Sequence, residues 1–433
     1  MKELALRLRY LPLLVATTLL WGCGDSIDDL NQPTEAVPEE HSEHEHNDEH
    51  IAGRLLISAA EQAEVSVFNA EDLSLVELLP TTHVVSGMYA TPSLRYAALI
   101  QRDRGLVEFI DGGVYSEDHG DHMHPYEQAP SLSSLQLSGA KPTHFDAAEQ
   151  QAALFFDGDK QNTVNASVTL LDDHHIGEGE VIAHHEFATY MHGAAQIRGD
   201  YVLATYREAS SDTVLPSQVE LFHRHDDHLH HELRFAPTCP MLHGSAQNEE
   251  HIAFGCSDGV LLIEQQDTSF SAHKIANPEG LEGRIGTIKA SHNSHDLLAI
   301  TSAKRLFNLD PENHDMTEVL WRDEADVDAL ASTFSAHHGA YFILDNHGDL
   351  HVFEGDGGWH HSTHFNLFSE VSENYQLAVA ADEEALYVLN QQENMLHKVD
   401  LESQAITATQ ELNFAASKLQ WLGIAEDEHD HAH

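Results

Sequence analysis

The amino-acid sequence predicts an all-β chain folded as a β-propeller of eight blades, or of seven if one strand set is divided differently. Three observations predict it. Between residues 51 and 425 the chain is a succession of short apolar strands set apart by turn residues, with no strong helical periodicity. The strands come in sets, and the sets recur roughly every 40–50 residues, the period of a propeller blade. The two ends of the region are also unfinished in complementary ways. Residues 54–57, 65–68 and 75–79 read as the second, third and fourth strands of a blade lacking its first, and residues 419–424 read as an innermost strand without a blade. Joining them closes the ring, with the C-terminal strand completing the N-terminal blade.

The sets themselves are legible along the chain. Residues 191–198, 201–206, 218–222 and 232–235 make one, and residues 242–246, 251–255, 260–264 and 270–275 make the next. Partial sets follow at 285–290, 297–301 and 305–308, and at 330–334, 340–344 and 351–353. A last full set runs through 377–381, 385–390, 396–399 and 406–411. Blades then start near residues 51, 83, 143, 190, 241, 284, 328 and 376. In this frame Cys239 precedes an innermost strand and Cys256 ends the strand paired with it. Both lie at the same end of one hairpin, within the Cα separation a disulfide requires. Two thiols also suit a metal, but the strand frame favours the disulfide.

The segments flanking the propeller differ in character. Lys2, Arg7 and Arg9 precede a short apolar run at 11–20, too short to span a bilayer comfortably, so residues 1–22 read as an export signal. Leu20-Trp21-Gly22-Cys23 resembles a bacterial lipobox, which would make Cys23 a lipidated first residue. Trp21 is unusual there, and an ordinary cleavable signal is the alternative. Residues 23–50 carry Pro33, Pro38, many acids and His41, His44, His46 and His50 without apolar periodicity, as expected of a disordered tether. Residues 426–433 form a similar tail with His429, His431 and His433.

Composition narrows the partners. The chain has 72 Asp and Glu against 21 Lys and Arg, a formal net charge of −51, and 36 His in 433 residues. Phosphate backbones need clustered Lys and Arg, so nucleic acid is excluded as a partner. Cations are the natural ligands. In an exported chain the even pair Cys239 and Cys256 fits an oxidising compartment.

Two constellations carry candidate chemistry. His83, His144, His192 and His243 each sit at or just before an innermost strand in four consecutive blades, and His192 and His243 share the pattern Met/Leu-His-Gly-Ala/Ser. Innermost strands begin at one mouth of the central channel, so repetition there builds a partial ring. Zinc takes three or four ligands in tetrahedral geometry, and imidazole suits it. The plainer reading is a set of polar side chains lining a wet mouth. The second constellation is Ser116-Glu-Asp118-His119-Gly-Asp121-His122-Met-His124-Pro125. It interleaves His119, His122 and His124 with Asp118 and Asp121 on one loop, which Gly120 and Pro125 keep from being helical. A solvated acidic loop is its alternative. Residues 223–231 read as a His-rich hairpin tip. The doublets His174-His175, His184-His185, His337-His338 and His360-His361 read as strand residues facing opposite ways. No phosphate loop, zinc-protease helix or nucleophile signature stands out.

The segments Glu117–His124, Met191-His-Gly-Ala194, Cys239-Pro-Met-Leu-His-Gly-Ser245 and Phe254-Gly-Cys-Ser-Asp-Gly259 together resemble the AztD family of periplasmic zinc metallochaperones, which accompany zinc ABC importers. The resemblance extends over the whole propeller. It implies a propeller that binds zinc through His and acidic groups and hands it to the importer's solute-binding protein. A lipid anchor would be a departure from the family and would place zinc collection at a membrane surface. The expected location is the Gram-negative periplasm, with the outer membrane as the anchor's home. The rival expectations are an exported metal-dependent propeller hydrolase or lactonase, and an interaction scaffold whose histidines buffer zinc. Copper and nickel remain open as competing metals.

Overall fold

The second strand of each blade explains the architecture. Arg54–Ala59, Tyr96–Gln101, His251–Cys256, Ala340–Asp345 and Ala385–Asn390 are buried along their whole length instead of alternating. A strand buried on both faces must be sandwiched. In Arg54–Ala59, Leu55 and Ile57 pack toward Tyr387 and Leu389, while Leu56 packs toward Ala97 and Leu99. The same division occurs in Gln151–Phe156, where Phe155 faces Ile197 and Val202, and Leu154 and Phe156 face Ala98 and Ile100. The core is therefore not one mass but a ring of eight apolar layers, one in each gap between neighbouring sheets.

This computed structural model describes residues 53–425 apart from 121, 122, 149, 293, 323 and 325. The expected signal at 1–22, the tether at 23–50 with Cys23, and the tail at 426–433 lie outside the described residues. Eight four-stranded antiparallel sheets are present, so the blade count is eight. The first sheet has the order Leu75–Pro80, Glu64–Asn69, Arg54–Ala59, Ala416–Leu422, the closure expected from the sequence. Arg54 pairs with Leu422 and Ile57 with Leu419. Trp421 on the closing strand is buried against the eighth blade. Among the described residues no helix is long and apolar enough to cross a membrane.

Outermost strands were the least visible in the sequence. His360–Asn366 is exposed or half-buried along its length, so no apolar rhythm marks it. Two departures interrupt the blades. A two-stranded hairpin, Val114–Asp118 with Met123–Glu127, is inserted between the third and fourth strands of the second blade. A six-residue helix, Asp173–Glu178, lies between the third and fourth strands of the third blade, its N-terminus capped by the Asp172 carboxylate accepting from His175 N. The doublet His174-His175 is therefore helical, and His337-His338 lies in a turn; only His184-His185 and His360-His361 are strand residues. The segment 223–231 is a hairpin tip as expected, between Gln218–His225 and His228–Arg234.

The disulfide Cys239–Cys256 joins the fifth blade's entry segment to the end of its second strand, with Cα atoms 4.9 Å apart. Both cysteines are buried. Between Cys239 and the innermost strand, Met241 adopts φ +54°, a left-handed conformation that costs a side-chain-bearing residue about 1–2 kcal/mol. It persists because its surroundings hold the segment: Ser257 N donates to Pro240 O and Leu242 N to Pro216 O. Replacing both cysteines by Ser should lower unfolding free energy by about 3 kcal/mol, the chain-entropy value for a loop of this length. Urea denaturation of the oxidised protein and of the variant measures the difference; equal midpoints would assign the bridge no stabilising role.

Candidate metal centre

Strands within each blade alternate in direction, so the segments entering the innermost strands and the ends of the second strands share one face of the ring. On that face three imidazoles converge. His144 comes from Pro142–Ala148, the innermost strand of the third blade, where a bulge at Thr143 shifts the pairing with Gln151–Phe156. His192 and His243 precede the innermost strands of the fourth and fifth blades, which begin at Ala195 and Ser245, later than the sequence sets suggested. Ring centroids are 4.9 Å apart for His144 and His192, 5.1 Å for His192 and His243, and 5.6 Å for His144 and His243. One donor nitrogen from each lies within 4.8 Å of the others.

Glycine makes the convergence achievable. A Cβ at Gly193 would sit 2.4 Å from Thr205 Oγ1 and 2.6 Å from Phe155 Cζ, so only glycine lets the His192 segment pack this close to the third blade. Gly244 has φ +76°, and a Cβ there would lie 2.5 Å from Gly286 O. The shared His-Gly pattern is thus a packing requirement of the two entry segments. His243 N donates to Gly255 O (2.9 Å), the residue next to Cys256, which ties the histidine's backbone to the strand the disulfide closes.

Hydrogen bonds to the far side of two rings fix their tautomers. His192 Nδ1 donates to Asp157 Oδ2 (2.9 Å), and His243 Nδ1 donates to Gly286 O (2.8 Å). Each ring then carries its lone pair on Nε2. His144 Nε2 and His192 Nε2 lie 3.4 Å apart. Two nitrogens on one tetrahedral zinc, each at 2.0–2.1 Å, lie about 3.3–3.4 Å apart, so this edge already has the spacing a shared ion needs. Asp157, whose side chain is 8% exposed, also accepts from Arg102 Nη2 (2.6 Å). Its Oδ1 is buried without a hydrogen-bond partner among the described residues. A carboxylate behind a histidine is the usual outer support of a metal-bound imidazole.

Burial pushes the His144 pKa down to about 4, and the neighbouring His192 and His243 act in the same direction. Burial also lowers His243, and Arg284 adds to it. The mouth therefore disfavours protonated imidazole and keeps these donors in the neutral form that binds metal.

Other candidates are placed differently. His83 is half-buried ahead of its innermost strand Gly87–Ala90, its carbonyl accepting from Thr81 Oγ1 (2.8 Å), and it is not one of the three gathered imidazoles. The segment read as a loop at 118–124 is the tip of the inserted hairpin. Asp121 and His122 lie outside the described residues, as does the side chain of Asp118. His119 and His124 have ring centroids 5.5 Å apart, and His119 Nε2 contacts Tyr126 Oη (3.1 Å). The hairpin leaves from the end of a third strand and is anchored at its base by the ion pair of Glu127 with Arg54, at the start of a second strand. By strand direction this is the face opposite the three histidines, so the two constellations are separate. Asp157, Arg102 and Gly286 were not singled out from the sequence. Asp157 follows directly on the apolar run of a second strand, and that position is the signal that would have found it.

Comparison with known proteins bears on the same region. No family model matches the chain. A curated zinc chaperone AztD from Citrobacter koseri is 29% identical over 273 residues, which span 61% of this chain and 61% of the relative. The crystal structure of Citrobacter koseri AztD superposes with a TM-score of 0.73 at 20% identity, covering 87% of this chain and 100% of that one. Its apo structure gives the same TM-score and 99% coverage. A structure of the dihydro-heme d1 dehydrogenase NirN in complex with DHE is more remote, with a TM-score of 0.54 at 11% identity over 86% of this chain and 75% of that one. In sequence over much of its length, and in fold over nearly all of the propeller, this chain is similar to the zinc chaperone AztD.

Proposed function

We propose that this protein is a periplasmic zinc carrier that captures the ion at His144, His192 and His243 and passes it to the solute-binding protein of a zinc ABC importer. The observation that carries the reading is the convergence of three imidazoles from consecutive blades, two of them with the far ring nitrogen engaged by a hydrogen-bond acceptor. The similarity to a zinc chaperone supports it. Three protein donors leave a fourth tetrahedral position open, unlike the closed four-ligand sets of structural zinc. An incoming donor from a partner can enter that position before any of the three leaves, so zinc moves between proteins without being released to water. His192 is 23% exposed, which gives the partner access. Asp157 orients the His192 ring through its Nδ1 and favours holding; the separate hairpin with Asp118, His119, Asp121, His122 and His124 would collect ions on the opposite face. The export signal and lipidation at Cys23 belong to this proposal, as does anchoring at the outer membrane.

The same three-histidine donor set occurs in hydrolytic zinc sites, so the carrier reading needs a test that a hydrolase would fail. Protein loaded with one equivalent of zinc should deliver it to the metal-free solute-binding protein faster than a large excess of chelator removes it. Transfer no faster than chelator-limited loss, or turnover of simple esters or lactones by the loaded protein, would overturn the carrier reading.

Proton competition gives a second expected outcome. A solvated imidazole titrates near 6.5 and would lose zinc on mild acidification. His144 is held near 4 and His243 is also lowered, so protons compete with zinc at these donors only at lower pH. Bound zinc measured after equilibrium dialysis should persist at pH 6 and be lost as the pH approaches about 4. Loss of half the tightly bound zinc by pH 6 would mean that solvated histidines hold it instead.

A further inference from the structure

The seventh blade holds a second histidine cluster on its outer strands, far along the chain from the three at the mouth. Its root is Asp345, at the end of the second strand Ala340–Asp345. This carboxylate is buried and fully engaged: Oδ1 accepts from His347 N (2.9 Å) and Asp349 N (2.8 Å), and Oδ2 accepts from His351 Nε2 (3.1 Å). Because a carboxylate only accepts, His351 carries its proton on Nε2 and its lone pair on Nδ1. The side chains of Asp345 and His351 are 2% and 6% exposed, and Trp321 packs edge-on against the His351 ring at 5.0 Å. His351 is therefore a fixed donor with one direction to offer.

That direction leads to the outermost strand, His360–Asn366. His351 Nδ1 lies 3.2 Å from His361 Nε2, and His351 is cross-strand partner of His364. Strict alternation would put His361 and His364, three residues apart, on opposite faces. A bulge prevents this. The register passes from Val352 opposite Thr363 to Phe353 opposite His361, leaving Ser362 unpaired, so both histidines face the side of His351. Their rings are 5.7 Å apart and nearly parallel, and each lies within 5.3 Å of the His351 ring. One donor nitrogen from each of the three lies within 4.8 Å of the others. Burial grades outward, from buried His351 through half-buried His361 to exposed His364.

We infer that His351, His361 and His364 form a second site for a divalent transition-metal cation that favours imidazole, zinc foremost. The arrangement repeats that of the mouth: a carboxylate at the end of a second strand holds one ring by its far nitrogen, and a second imidazole stands at the spacing of a tetrahedral edge. Exposed His364 is the last ligand to arrive and the first to leave, and the fourth position faces outward. The site stands on its own residues and does not depend on the carrier reading.

Crystals of the full chain equilibrated with two equivalents of zinc, measured at the zinc absorption edge, locate the ions directly. Anomalous peaks are expected at both clusters. His361→Ala with His364→Ala should remove only the outer peak and lower tight stoichiometry by one, while His144→Ala with His192→Ala leaves the outer peak in place. Thermal melting of each variant confirms that the fold is intact; both replaced outer histidines lie on an exposed strand, so little change is expected. Absence of the outer peak in the wild type, or unchanged stoichiometry in the outer variant, overturns the inference. An outer peak with none at the mouth would sustain it and overturn the carrier reading instead.

Discussion

Antiparallel pairing of Arg54–Ala59 with Ala416–Leu422 closes the ring of blades. The pairing joins segments some 360 residues apart along the chain, and the loop-closure entropy it opposes grows only slowly with length. Once made, it fixes the ring at eight blades and gives every second strand a neighbour on both faces. Burial of Trp421 and Leu422 against the eighth and second blades seals the two gaps beside the closing strand. The ring's radius then decides how near the entry segments of neighbouring blades approach at the mouth. His144, His192 and His243 meet because three consecutive blades present them at that radius.

The chemistry of the mouth follows from its crowding. Three imidazoles a few ångströms apart cannot all be protonated, and the partly desolvated setting disfavours even one proton on His144. Arg102 and Arg284 act in the same direction on His144 and His243 respectively, while Asp157 opposes them. The site gathers three nitrogen donors inside a molecule of formal charge −51. Long-range attraction draws cations toward the protein, and clustered imidazoles are the donors that would favour an ion preferring nitrogen over oxygen.

Much of the fold was legible in the sequence, for physical reasons. Second strands buried on both faces read as continuous apolar runs, and their recurrence counts the blades. Outermost strands have little core to face, so His360–Asn366 left no pattern. The mouth histidines were found because a ring repeats its positions; His83 occupies a comparable position yet does not join them. What one strand's periodicity cannot show is a bulge. The extra residue Ser362 turned one histidine of a doublet with no evident purpose, His361, toward His351 and His364. Carboxylates acting across strands or blades, Asp157 and Asp345, were equally hidden, since their partners lie 35 and 6 residues away and the sequence gives no reason to join them. His174-His175 misled because a capping Asp172 makes a short helix where alternation was assumed.

On the proposed reading one zinc ion is held jointly by histidines of three blades, with Asp157 behind them. Competition titration against a chromophoric chelator tests it most directly, in the wild type and in His144→Ala, His192→Ala, His243→Ala and Asp157→Asn. Loss of an outer-sphere partner typically weakens metal binding by about 10–100-fold, so Asp157→Asn should fall in that range and each histidine variant below it. Affinity unchanged in any one of the three histidine variants would contradict a shared site.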